Sequence, residues 1–126
     1  MATVELKQLS GEYTIAKLPV LASIPSWGDG EGFVSISRGD DELSVICLRD
    51  RVPTSVKSEG NWACFKVEGP FVFGEMSIVL SVVESVPEHG VGVLAVSTFN
   101  GNYLLVRSQD AAAAIDFFIA AGHRVE

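Results

Sequence analysis

A chain of 126 residues suits one compact domain or two very small ones that share a core. Apolar residues make up 48% and charged residues 20%, which argues against a disordered, collagen-like or disulfide-dense chain. The 16 acidic and 9 basic residues give a formal net charge of -7, and nine scattered cations form no basic patch. Nucleic acid and anionic membrane surfaces are therefore poor partners, and small ligands or other proteins remain.

Residues 4–9 alternate apolar Val4 and Leu6 with charged Glu5 and Lys7, a strand pattern. The same charges stand where a signal peptide needs its apolar core, and no stretch approaches the roughly 20 apolar residues of a membrane span. A cytoplasmic protein is expected. Gly11 permits a turn into a second strand over 13–18. Pro19 and Pro25 bracket Leu21, Ala22 and Ile24, a segment too short for more than one or two helical turns. Gly28, Gly30 and Gly32 form a flexible loop that lacks a phosphate-binding Lys and precedes a strand instead of opening a helix. Strands over 33–37 and 43–48 flank the polar turn from Arg38 to Glu42, and Pro53 interrupts any helix starting near Asp50.

In the second half, 63–68 reads as a strand ended by Gly69 and Pro70. From Glu75 the residues Met76, Val79, Leu80, Val83 and Val86 recur at helical spacing, and Gly90 suits the end of that helix. A strand over 91–98 leads to Asn100 and Gly101, a hairpin signal, and a further strand over 103–107. Asp110 can cap an Ala-rich helix over 111–121 closed by Gly122, before a short strand over 123–125.

The second half thus has the β-α-β-β-α-β order of a ferredoxin-like fold. Shifted by 60 positions, 33–37 falls on 93–97, 43–46 falls on 103–106, and Asp50 falls on Asp110, a match of pattern that suggests an internal duplication. The first copy would have one or both helices shrunken to prolyl turns, and a strand over 57–68 would pass from one half to the other.

Catalytic chemistry has thin support. Cys47 and Cys64 sit in apolar runs as buried thiols would, and His89 and His123 read as surface or capping residues at helix ends. A small enzyme using one of the cysteines is the weakest reading. Asp40, Asp41 and Glu42 suit a solvated turn better than a metal site, and no cofactor is implied. A better constellation joins Gly69, Pro70, Phe71 and Gly74, leading into the helix start at Glu75, with the strand end Ser97, Thr98, Phe99 and Asn100. Backbone N–H groups there suit a carboxylate and Glu75 an ammonium or guanidinium, so an amphoteric molecule such as an amino acid finds both partners. A capped helix beside an ordinary hairpin explains the same residues.

In segments 62–70 and 96–106, and also 42–47 and 121–125, the sequence resembles the ACT-domain family, in its paired branch, over nearly the whole chain. It is similar there to the ACT modules of aspartate kinases and of cytosolic arginine sensors. The resemblance implies an α+β fold of two tandem ferredoxin-like (βαββαβ) lobes packed side by side, the first lobe with reduced helices. The lobes would span 1–61, a degenerate ACT-like lobe, and 62–126, an ACT domain. It implies that the protein is not an enzyme but a regulatory module binding an amino acid between lobes. The loop from Gly69 to Glu75 resembles the part that receives ligand in the second ACT domain, with Glu75 matching an acidic contact of the arginine sensors and Met76 a further candidate contact. Thr98 and Phe99 match strand-end contacts, and Ser35, Ile36 and Ser37 would be the equivalent edge of the first lobe. Asn102 stands where many relatives carry Asp, which removes a negative charge from a site for arginine or lysine. A homodimer and a separate effector protein are the implied partners. The alternative is a module that dimerises through its sheet edges and takes no ligand.

Overall fold

The computed structural model describes residues 4–68 and 92–126. Among them are eight strands, β1 (Glu5–Gln8), β2 (Tyr13–Leu18), β3 (Ser35–Arg38), β4 (Leu43–Leu48), β5 (Lys57–Glu68), β6 (Val93–Ser97), β7 (Asn102–Arg107) and β8 (Arg124–Val125), with one α-helix, α1 (Ala111–Ala120). The chain divides into two compact units, one of Ser10–Trp62 and one of Met1–Leu9 with Ala63–Glu126. Strand β5 contributes its first half to the former and its second to the latter, so the passing strand expected over 57–68 is present. The architecture is α+β. No helix among the described residues is long and apolar enough to cross a membrane.

In the unit Ser10–Trp62 the strands lie in the order β3-β4-β2-β5, each antiparallel to its neighbour, which is the ferredoxin-like order. The alternation read from the sequence is what forms it: β4 buries Leu43, Val45 and Cys47 and half-exposes the residues between. Ala16, Val45 and Cys47 are the centre of a core on which Leu18, Trp27, Val34, Ile36, Val52 and Val56 pack. A bulge between Tyr13 and Ile15 in the pairing with β5 coincides with Gly60, whose φ is 78°. Glycine takes that left-handed conformation without the Cβ penalty, and the Thr14 hydroxyl donates to the Glu59 carbonyl at 3.0 Å beside it. Both helices of the pattern are reduced to turns. Residues 19–34 hold a 3₁₀ turn, Ser26–Gly28, and a turn closed by the Ala22 N–H on the Pro19 carbonyl at 2.9 Å. Residues 52–56 hold one turn, closed by the Val56 N–H on the Pro53 carbonyl at 3.0 Å.

In the other unit the order is β6-β7-β5-β1-β8. Residues 4–9, expected in the first lobe, belong here instead: β1 pairs antiparallel with the second half of β5, and β8 pairs parallel with β1. The last strand therefore does not lie beside β5, as a simple βαββαβ order requires. Several bonds hold this edge. The Arg124 and Glu126 N–H groups donate to the Val4 and Leu6 carbonyls at 3.0 and 2.8 Å, the Gln8 N–H to the Glu126 carbonyl at 3.1 Å, and the Val4 N–H to His123 Nδ1 at 3.2 Å. His123 is 3% exposed, so its ring is a buried acceptor and not the surface residue expected. The core joins Leu6, Ala63, Phe65, Val67, Leu104 and Val106 to Ala114 and Phe118, four apart on one face of α1.

Helix α1 ends as its sequence suggests. Gly122 has φ 97°, with its N–H on the Ile119 carbonyl at 2.9 Å and the His123 N–H on the Phe118 carbonyl at 3.0 Å, a Schellman motif. Its start differs: Asp110 makes no side-chain capping bond, because a 3₁₀ turn, Ser108–Asp110, precedes the helix and its carbonyl at Ser108 takes the Ala111 N–H.

The repeat is visible in both units, but its offset is 59 and not 60. The Gly39 N–H bonds the Glu42 carbonyl at 2.9 Å, and 59 residues on the Thr98 N–H bonds the Gly101 carbonyl at 2.8 Å. Ser35 faces Ile46, and Leu94 faces Leu105. The 3₁₀ turn Arg49–Arg51 recurs as Ser108–Asp110, with the Val52 N–H on Arg49 and the Ala111 N–H on Ser108. The copies diverge directly after it, one into Pro53 and the other into α1.

Candidate functional site

One described part of the expected site is the tip of the β6–β7 hairpin. Ser97 and Asn102 are its last facing pair, with Thr98, Phe99, Asn100 and Gly101 as the loop. The sequence signal Asn100-Gly101 favours a turn with positive φ at both of those residues, yet neither is among the residues with positive φ. Instead the loop closes on Thr98, whose N–H and hydroxyl both donate to the Gly101 carbonyl, at 2.8 and 3.1 Å. The Ser97 hydroxyl is 2.8 Å from Asn102 Oδ1 and donates to it. Both hydroxyl protons are thus held inside the turn, and the oxygens face outward with only lone pairs to offer. The tip can accept from an ammonium, guanidinium or amide N–H. Phe99 is 80% exposed at its apex. Asn102 thus has a local structural partner in Ser97.

Ser35, Ile36 and Ser37 lie in the other unit, on β3, facing Ile46, Val45 and Ser44. Ile36 packs on that unit's core, and Ser37 is exposed. The 59-residue offset moves their equivalence by one place: Ser37 matches Val96, Arg38 matches Ser97 and Gly39 matches Thr98. A slip of one residue turns a strand's side chains to the opposite face, so the residue of β3 that stands in Ser97's place is Arg38, which the sequence pattern at 60 misses. Aligning the two turns, with Gly39 on Thr98, finds it. The Arg38 guanidinium donates to the Val20 carbonyl and, at 2.8 Å, to the Ala22 carbonyl. Gly69, Pro70, Phe71, Gly74, Glu75 and Met76, with the helix expected from Glu75 and His89, lie outside the described residues.

The thiols are poorly placed for nucleophilic work. Both cysteines are fully buried, and burial pushes Cys64 up to about 12. Burial also raises Cys47, against the opposing pull of the Arg51 guanidinium beside it. At neutral pH both are thiols, the weakly nucleophilic form. Among the described residues no group of His, Cys, Asp and Glu is arranged to hold a metal ion.

The described residues define the fold class: α+β, with ferredoxin-like strand order in the Ser10–Trp62 unit and the same order interrupted by β1 in the other. The comparisons narrow it. A family model described as an ACT domain matches residues 57–118, and a second model, of an N-terminal domain, matches residues 11–55. The chain is similar to a crystallised protein of Agrobacterium tumefaciens, 49% identical, with a TM-score of 0.92 over 100% of this chain and 94% of that one. It has the fold of the regulatory subunit of aspartate kinase from Thermus thermophilus, at 9% identity and a TM-score of 0.65 over 96% and 99% of the two chains. The aspartate kinase of Clostridium acetobutylicum, an allosteric enzyme, matches at 14% identity and a TM-score of 0.63, over 92% of this chain and 33% of that one. No curated protein matches the sequence significantly. Over residues 57–118 the chain belongs to the ACT-domain family.

Proposed function

We propose that the protein is a non-catalytic regulatory module of two tandem ACT-like lobes packed side by side, which binds an amino acid at the interface between them. The first lobe runs to residue 61 and the second from 62, with β1 lent to the second. The observation that carries the reading is the likeness, over 96% of this chain, to a subunit whose role is regulatory, together with the ACT match at 57–118. Buried, protonated thiols support a non-enzymatic role. The ligand is held by the segment Gly69–Met76, with Glu75 on its cationic group, by Ser97, Thr98, Phe99, Asn100 and Asn102, and by the edge at Ser35, Ile36 and Ser37. The acceptor character of the hairpin tip suits the ammonium end. Ligand linking the lobes shifts the population of one arrangement, a coupling typically of about 1 to 3 kcal/mol, which a separate effector protein in the cytoplasm reads.

A thermal-shift screen of the twenty amino acids tests this. A ligand of the native state at 100 times its dissociation constant adds about 2.7 kcal/mol, a readily visible rise. Glu75→Lys should abolish the response to a cationic ligand without loss of fold, and an unchanged affinity would remove Glu75 from the site. A screen in which no amino acid raises the midpoint refutes the reading. One observation favours a ligand-free homodimer in that case: β6 pairs with β7 alone among the described strands and leaves Leu94 39% exposed.

A further inference from the structure

The two units share a hairpin, its turn and a 3₁₀ turn, and they differ in the segment directly after that 3₁₀ turn. In one, α1 lays Ala114 and Phe118 on the sheet. In the other, residues 52–56 take its place, and Lys57 already begins β5. Five residues cannot cover what ten cover, and a groove of about 420 Å³ opens there, within the range of small-molecule sites. Val52, Pro53 and Val56 give it an apolar wall, Thr54 a hydroxyl, and Arg49 and Asp50 a cation and an anion side by side.

The backbone of this turn is pinned. The Arg49 N–H donates to the Glu12 carbonyl at 2.8 Å, and the Arg49 carbonyl accepts from the Val52 N–H at 3.1 Å. The side chains of Arg49 and Asp50 nevertheless make no hydrogen bond or ion pair among the described residues, not even with each other. Arg51, two places on, shows the contrast: both its terminal nitrogens donate to the Glu31 carbonyl, at 2.8 and 2.7 Å. A fixed turn thus presents two exposed charges of opposite sign, without side-chain partners among the described residues, in the lining of a groove with an apolar wall.

We infer that this groove binds a zwitterionic small molecule carrying a carboxylate, an ammonium group and an aliphatic part. The carboxylate meets the Arg49 guanidinium, which can bond it through two parallel N–H groups, and the ammonium meets Asp50. The aliphatic part lies along Val52, Pro53 and Val56. A plain anion would face Asp50 and a plain cation Arg49, each a like-charge contact, so the pair selects for molecules with both charges. The site shares no residue with the one proposed above, and it stands or falls independently of it.

The test is an NMR titration of the whole chain with L-leucine, and with isovalerate and isoamylamine, which keep the branched chain and one charge each. Leucine should move the amides of 49–58, and each single-charge analogue should bind at least tenfold more weakly. Arg49→Ala and Asp50→Ala should each lose at least tenfold in leucine affinity while amides elsewhere keep their positions, which shows that the fold is intact. Still amides at 49–58, unchanged affinity in either variant, or isovalerate binding as tightly as leucine would each overturn the inference. Shifts confined to 97–102 would overturn it too, while supporting the hairpin-tip site.

Discussion

Replacing Gly32 by alanine tests how the helix-free unit is held together. Gly32 has φ 83°, and a Cβ there would lie 2.5 Å from Tyr13 Oη and 3.4 Å from Leu48 Cδ1. The left-handed backbone alone costs a non-glycine residue about 1 to 2 kcal/mol. The hydroxyl cannot simply yield, because Tyr13 is fully buried and its Oη accepts the Phe33 N–H at 3.0 Å. Forcing a methyl into such a site adds about 1 to 3 kcal/mol. Gly32→Ala should therefore destabilise by about 2 to 5 kcal/mol, a large share of the 5 to 15 kcal/mol typical of a whole domain. Urea unfolding followed by tryptophan fluorescence is the assay, because both tryptophans, Trp27 and Trp62, lie in the Ser10–Trp62 unit. Tyr13→Phe removes the clashing oxygen. In that background the cost of Gly32→Ala should fall to the backbone share of about 1 to 2 kcal/mol. A cost below about 0.5 kcal/mol in the native background, or the same cost in both backgrounds, would refute the account.

Two more outcomes are expected in the other unit. Phe118 is fully buried and meets Phe65 edge to face at 5.7 Å and 78°, so Phe118→Ala should cost about 3 to 5 kcal/mol in urea unfolding followed by far-ultraviolet circular dichroism. Cys64 keeps its proton to about 12 when folded, against an ordinary value of 9.0, so above pH 9 the unfolded chain binds fewer protons and stability falls with rising pH. The loss is about 1.4 kcal/mol per pH unit between the two values, and Cys64→Ala should remove that slope in urea midpoints measured from pH 8 to 11. Parallel slopes for the two proteins would show that the buried thiol is not the cause.

Most strands are legible in the sequence because their signal is local. Alternation in β2 and β4, the apolar run in β5 and the Asp110–Gly122 frame of α1 each lie within a dozen residues. Partner choice is not local, and there sequence and structure part. Nothing in residues 4–9 says that β1 inserts between β5 and β8, since an alternating strand with only Leu6 fully buried fits many neighbours. The sequence offset of the repeat is one too long because apolar patterns of period two tolerate a shift that hydrogen bonds do not. The Thr98–Gly101 closure and its counterpart at Gly39–Glu42 resolve it. His123 reads as exposed because the sequence shows the helix end before it and not the Val4 N–H it receives. Of the candidate site, the hairpin tip is legible and Arg38 is not, since its place depends on the same one-residue offset.

A connection that forms no helix has few backbone partners of its own. In the Ser10–Trp62 unit three side chains supply them. Arg38 holds the Val20 and Ala22 carbonyls, Arg51 the Glu31 carbonyl, and the Tyr13 hydroxyl the Phe33 N–H. Each ties a segment of the long 19–34 connection to a strand or to the turn after one, which is the task a helix packed on the sheet performs. The glycines belong to the same device: a Cβ on Gly30 would lie 2.4 Å from Arg51 Nη1, and one on Gly32 would strike Tyr13. A unit braced this way keeps the ferredoxin-like strand order without the helices that normally cover its sheet. The bracing side chains are thereby committed to structure, whereas Arg49 and Asp50, at the groove where α1 has no counterpart, keep their charges free of side-chain partners among the described residues and open to the binding inferred above.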